Sequence, residues 1–264
     1  DMRMDSVSVI SGAGSFTGSI MSIGASGNIS CLSNITFSPI NSFTLNTGGT
    51  LNPNTRNVTF SNGTIAFFTG STVTASGLVQ TQEMNIKLKK GSAFNAPLKV
   101  LSGITNATEF STPYKGKLFG ALTIDAGASV AVGTSNSYSL EVYGIVTNNG
   151  TVSGFGEFIL SGTALVNNNS ISTYFLRFNS TINLSGAGTF TSTDIVIDIN
   201  DTVKMLSNIT VNPVTIFSIR SGGVLNPNTF VFTVIRGEFE VLAGGTVFNS
   251  GAFRTEGTVS LDLR

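Results

Sequence analysis

Short runs in which apolar and polar residues alternate recur from one end of the chain to the other, each bounded by glycine, asparagine, serine or threonine. Val7-Ser8-Val9, Phe43-Thr44-Leu45, Ile86-Lys87-Leu88, Leu122-Thr123-Ile124 and Val259-Ser260-Leu261 all carry the two-residue period of a strand with one buried face. Helix signals are nearly missing, so the pattern predicts an all-β fold.

The runs are repeated. Residues 11–89 align without a gap with residues 185–263 at a constant offset of 174, with 29 identities in 79 positions. Ser11-Gly12-Ala13-Gly14 returns at 185–188, Leu32-Ser33-Asn34-Ile35-Thr36 at 206–210, and Leu51-Asn52-Pro53-Asn54-Thr55 at 225–229. A smaller unit lies inside the large one: an apolar residue, two others, Gly, two others, an apolar residue. Leu45-x-x-Gly48-x-x-Leu51, Phe67-x-x-Gly70-x-x-Val73, Leu88-x-x-Gly91-x-x-Phe94 and Ile219-x-x-Gly222-x-x-Leu225 are examples. The central glycines follow one another at 48, 70 and 91, and again at 222 and 244. The offset of 174 corresponds to eight such units, which predicts that the duplication keeps the phase of the small repeat. Between Gly91 and Gly127 the spacing widens to 36, and Asn106–Lys117 is the expected inserted loop within a weaker related middle section, 90–184.

A unit of about 22 residues cannot bury a core alone, but stacked on its copies it becomes a solenoid in which each turn bonds to the next. The chain is therefore expected to form one rod over 1–264, a right-handed parallel β-helix of about 11–12 turns. Glycine and asparagine would turn the corners and apolar residues would stack inside. Tandem antiparallel β-sandwiches are the alternative, because Asn62-Gly63 and Asn149-Gly150 also suit hairpins.

Composition narrows the chemistry. The 264 residues carry 14 Lys+Arg against 14 Asp+Glu, with no histidine, no tryptophan and one cysteine. No cationic surplus exists to engage a phosphate backbone, so nucleic acid is not an expected partner. The usual general base is missing, no internal disulfide can form, and no apolar run reaches the length of a membrane span. Twenty phenylalanines suit a stacked interior, since Phe buries no polar atom. Cys31 aligns with Met205 across the duplication, which predicts an inward core position.

Leu122-Thr-Ile-Asp-Ala-Gly-Ala-Ser-Val130 and Gly144-Ile-Val-Thr-Asn-Asn-Gly-Thr-Val-Ser-Gly-Phe-Gly-Glu-Phe158 resemble the repeats of extracellular β-solenoid surface proteins, among them adhesins and autotransporter passengers. The resemblance covers most of the chain. It implies a rod-like scaffold, secreted or at the cell surface, and brings no catalytic residue with it.

Candidate chemistry is sparse. Asp194, Asp198 and Asp201 cluster with Asn200 as possible oxygen ligands for a cation, although the duplicate positions are Ile20, Gly24 and Gly27. Glu238 and Glu240 share one face of an expected strand, a spacing open to a polysaccharide-cleaving pair, but their duplicates are Thr64 and Ala66. Neither the sequence nor the resemblance calls for a cofactor, and the expectation is a non-enzymatic protein. Asn-x-Ser/Thr sequons occur at Asn28, Asn34, Asn57, Asn62, Asn106, Asn149, Asn168, Asn179, Asn183, Asn200 and Asn208, which makes glycosylation on exposed turns an expectation for a secreted chain. The sequence begins at Asp1, in keeping with a processed secreted chain or an excised segment. Strand alternation runs close to both ends, placing Val7, Val9, Val259, Leu261 and Leu263 on rungs open to other subunits. Together with low charge, this predicts head-to-tail association with copies of itself into a filament, sheath or surface layer. A stalk that binds glycan or another surface protein, using the loop around 106–117, is the second expectation.

Overall fold

The computed structural model describes residues 1–89, 92–107, 116–248 and 250–264, and for 104–107 the backbone alone. The described residues form 34 strands and no helix. Every strand pairing is parallel, so the antiparallel sandwich alternative is overturned. Two-residue Asn-Gly steps act as corners between consecutive strands, not as hairpin turns. At Asn62 and Gly63, for example, both φ angles are positive (64° and 77°) and the chain passes from strand Asn57–Ser61 to strand Thr64–Phe67 on the neighbouring face.

The chain winds as a three-sided solenoid of about 12 turns of roughly 21 residues. Face I carries strands such as Asn28–Cys31 and Ser139–Val142, face II strands such as Asn57–Ser61 and Leu122–Ile124, and face III strands such as Thr64–Phe67 and Ser129–Val132. One inward column of face I runs the length of the rod: Ser8, Ile29, Leu51, Val73, Phe94, Leu118, Val142, Leu160, Phe178, Ile197, Ile219, Val241 and Leu263. The column numbers show that turns are not uniform. They lengthen over the two turns from Phe94 to Val142 and shorten over the three from Val142 to Ile197, relative to those near both ends.

Those short turns correct the expected phase of the duplication. Eight turns beyond Ile29 the chain reaches Ile197, which falls short of Val203, the duplicate of Ile29. Val203 pairs with Ile182 and Leu225 on face II. Each strand of 185–263 therefore sits one face ahead of its counterpart in 11–89. Local geometry is kept nonetheless: Asn54 and Asn228 hold φ of 59° and 62°, and each backbone N–H donates at 2.9 Å to the side-chain oxygen of Asn52 or Asn226. The corner module is portable, and the face it serves is set by how many residues the intervening turns consume.

One cluster of buried apolar side chains runs through the interior from Met4 to Phe239, with the buried Asn148 and Asn167 set into it on face II. Phe16, Phe37 and Phe60 stack on successive rungs of face II at 5.5 and 5.4 Å, and Phe43 of face III closes on Phe37 and Phe60 at 4.8 and 4.9 Å. Near the other end Phe217 and Phe239 stack at 5.6 Å on face I. Cys31 and Met205 are both fully buried in this interior, on different faces. Burial pushes the Cys31 thiol up to about 11, the state of an inert core thiol.

The expected insertion is narrower than 106–117, because strands Ile104–Ala107 and Gly116–Leu118 take both its ends into the sheet. Residues 108–115 and the Asn106 side chain lie outside the described residues.

Candidate functional site

Three places are candidate sites: a charged strip outside face I, the end rungs, and a groove at the corner between faces III and I.

Outward side chains of a parallel solenoid repeat at rung spacing, about 4.8 Å, so charges on consecutive turns can link along the rod. On face I, Arg177 Nε donates to Glu157 Oε1 at 2.6 Å and its Nη1 to Asp198 Oδ2 at 2.9 Å, while Arg220 Nη1 reaches Asp198 Oδ1 at 3.1 Å. Burial alone would push the Asp198 carboxyl up. The Arg177 hydrogen bond, the Ile199 amide and the two guanidinium charges outweigh it and hold Asp198 below its usual 3.8. Burial likewise disfavours the Arg177 cation, yet the bonds and charges of Asp198 and Glu157 raise its proton affinity. Further along, Ser218 Oγ donates to Glu240 Oε2 at 2.8 Å, and Ser161 Oγ donates at 2.7 Å to Glu141, a residue only 5% exposed.

This geometry sorts the acidic candidates. Both Asp198 oxygens are occupied by guanidinium groups, the opposite of what a cation site needs. Asp194 has a buried Oδ1 without a hydrogen-bond partner among the described residues, and burial raises its affinity for a proton. Asp201 is raised by burial and then by the charge of Asp198. Among the described residues no group of three or more His, Cys, Asp or Glu stands close enough to hold a metal ion. Glu238 and Glu240 do share face I, half-buried, with Glu240 tied to Ser218.

Replacing Arg177 with Met is expected to cost about 1–2 kcal/mol near neutral pH, less than for a fully buried pair because the partners remain 15–22% exposed. Asp198 is depressed in the folded state, so its contribution is present above its unfolded value of 3.8 and lost as pH falls through the folded one. The raised Asp194 and Asp201 act with the opposite sign, gaining stability as pH falls. Denaturant midpoints of parent and Arg177→Met should therefore converge on the acid side; parallel curves would remove Asp198 from the account.

The sequons lie mostly outside. Asn28, Asn34, Asn62, Asn168, Asn179, Asn183, Asn200 and Asn208 are exposed or partly exposed at the surface, and Asn57 and Asn149 are half-buried. Asn34 and its duplicate Asn208 share one structural duty: each Oδ1 accepts a backbone N–H from the following turn, of Asn57 at 3.0 Å and Val231 at 2.9 Å. Two other asparagines, neither of them in a sequon, are internal. Asn148 and Asn167 point inward, 0% and 1% exposed, with Asn148 Nδ2 donating to Asn167 Oδ1 at 2.8 Å and Asn167 Nδ2 to the Thr189 carbonyl at 3.1 Å. Their inward positions in Val146-Thr147-Asn148 and Leu165-Val166-Asn167 were the available signal.

At the end rungs, the five expected positions split into two kinds. Val7 and Val9 face outward, 77% and 59% exposed, while Ser8 and Ile10 take the inward positions. Val259, Leu261 and Leu263 continue inward columns beyond Gly237, Phe239 and Val241. No helix among the described residues is long and apolar enough to cross a membrane.

The groove arises from corner length. Between faces III and I the connection spans 133–138 on one turn, Phe155-Gly156 on the next, then Tyr174 alone, then 191–193 and 212–215. The corner draws in and opens again, leaving a concavity of about 440 Å³ lined by Phe155, Tyr174 and Val214 with Ser172, Thr173 and Thr191, of which Thr173 is buried. Gly154, at φ 120°, is pinned here because a Cβ would lie 2.4 Å from the Val132 carbonyl oxygen. Corner lengths were not legible in the sequence, where Phe155 showed only as an aromatic between two glycines.

Compared with protein-family models, with curated proteins and with solved structures, the chain matches none.

Proposed function

We propose that this chain is a non-enzymatic structural rod of an extracellular, cell-surface assembly, and that it associates end to end with copies of itself. The observation that carries the reading is the sameness of the contact between rungs. From the first described turn to the last, each rung pairs in parallel with the next and adds one layer to the same inward columns, which are mainly apolar, with Asn148 and Asn167 as a polar step on face II. A rung supplied by a second copy would make that contact again, pairing strand edges and extending the column, which is how a head-to-tail polymer propagates. The inward row available for it is apolar: Leu261 and Leu263 stand 57% and 67% exposed, with Phe253 beside them at 39%. Met2, Ile10 and Phe16 are the partly buried counterparts at the other end. A chain with only 11% charged residues supports burial of further surface. The resemblance to surface solenoids and the sequon asparagines at the surface support an extracellular setting.

Electron microscopy and sedimentation of the chain 1–264 over a range of concentrations test this. Filaments or tubes with an axial repeat of one rod length, on the order of 55 Å, are expected. The double variant Leu261→Lys, Leu263→Lys should weaken association at least about tenfold while leaving thermal unfolding of the rod interior unchanged. Monodisperse single rods at the highest concentration would overturn the proposal.

A further inference from the structure

The geometry points to a binding groove for a neutral oligosaccharide at the corner between faces III and I, bounded by Phe155 and Val214. It stands apart from the rod ends and does not rest on end-to-end association.

Three observations converge on that ligand class. The first is shape. Four successive rungs contribute, through Phe155, Tyr174, Thr191 with Thr193, and Val214, so the concavity runs along the rod for about 14 Å at rung spacing. That form admits a linear chain of several rings and is too open to enclose a compact metabolite. The second is chemistry. Phe155 is 69% exposed and Val214 54%, while Tyr174 is half-buried and set edge-on to Phe175 at 4.7 Å. A pyranose presents C–H bonds on its ring faces and hydroxyls around its rim. Aromatic and apolar walls meet the first, and the electron-rich face of an aromatic ring attracts the slightly positive C–H edge. The hydroxyls of Ser172, Tyr174, Thr191 and Thr193 make no side-chain hydrogen bond among the described residues and remain for the rim. Thr173 is different: its Oγ1 is committed to the Phe175 carbonyl at 2.9 Å and to Ser192 at 3.1 Å, which fixes the floor.

The third is charge. Among the described residues no Asp, Glu, Lys or Arg lines the concavity, although the charged strip of Glu157, Arg177 and Asp198 runs along the adjacent face I. An acidic glycan or a phosphorylated headgroup would meet no counter-charge here, whereas a neutral sugar needs none. The aromatic side of the groove belongs to the section that is not duplicated. Thr191, Thr193 and Val214 have counterparts at Thr17, Ser19 and Ile40, while Phe155 and Tyr174 have none.

The test titrates 15N-labelled chain 1–264 with cellohexaose and, separately, with the hexamer of N-acetylglucosamine, following amide shifts and heat of binding. At least one hexamer should give saturable shifts confined to residues around 154–155, 172–174, 191–193 and 214. Phe155→Ala and Tyr174→Ala should each weaken binding roughly tenfold. Tyr143→Ala, which removes an aromatic on the corner between faces I and II, should leave binding unchanged. Thermal unfolding is measured for each variant. Should the Tyr174 variant lose its fold, Val214→Lys places a charge on an exposed rim position and carries the same expectation. Absence of binding by both hexamers at millimolar concentration, shifts elsewhere on the rod, or binding that survives the groove variants overturns the proposal. Groove shifts on concentrating the protein alone, without saccharide binding, assign the surface to a second copy and overturn it equally.

Discussion

Phe37→Ala is expected to lower the free energy of unfolding by about 3–5 kcal/mol, the range for truncating a fully buried aromatic. Phe37 is 0% exposed and touches three other rings, with centroids at 5.5, 4.8 and 5.4 Å for Phe16, Phe43 and Phe60. Its neighbours are held by rung-to-rung hydrogen bonds, so the cavity cannot close by a backbone shift without stretching them. A solenoid couples each turn mainly to the next, so the loss should stay local. Amide exchange should accelerate over residues 14–67 and stay at parent rates over 182–234. A uniform acceleration along the rod, or a loss below about 1 kcal/mol, would contradict this account of the interior.

Gly144→Val should cost about 3 kcal/mol or more, by crowding and not by cavity formation. Gly120, Gly144 and Gly162 form a column on successive turns at the corner between faces I and II. A Cβ at Gly144 would lie 2.3 Å from the Gly120 carbonyl oxygen, and one at Gly162 would lie 2.1 Å from that of Gly144. The rungs cannot separate to make room, because Tyr143 donates to the Leu118 carbonyl at 2.8 Å and Ser161 to that of Val142 at 2.9 Å. Gly127→Ala is the informative contrast. Its φ of 78° is unfavourable for alanine, but a Cβ there meets nothing within 4 Å, so the expected cost is the conformational one, about 1 kcal/mol. Denaturant midpoints of the two variants should differ clearly. Equal effects would mean that backbone conformation, not rung contact, dictates glycine at these corners.

Local and long-range information separate at particular residues. Asn54 and Asn228 sit in identical Leu-Asn-Pro-Asn-Thr segments and adopt the same left-handed turn, because an Asx bond between residues two apart is a local matter. The inward assignment of Cys31 followed in the same way, from its exchange with Met205. Asp198 shows the limit. Its spacing from Asp194 and Asp201 suggested oxygen ligands, but its partners Arg177 and Arg220 come from the preceding and following turns, 21 and 22 residues away. Those separations join side chains only when the turns between consume the right number of residues.

The sequence by itself determined an all-β repeat with an apolar interior and glycine or asparagine corners, and favoured a parallel solenoid over the antiparallel sandwiches that the parallel pairing of the strands then excluded. Period-two alternation fixes which side chains face inward, and a repeat too small to bury its own core must stack. Tertiary structure decided phase and surface. The shortened turns between Val142 and Ile197 advance the second copy by one face, so Ile29 and its duplicate Val203 pack against different walls of the same rod. The same shortening draws in the corner at Phe155 and Tyr174 and makes the groove. The physical reason is common to both: hydrogen bonding between rungs aligns strands and not sequence positions. Each residue gained or lost at a corner is absorbed there, and only the folded chain shows where the difference accumulates.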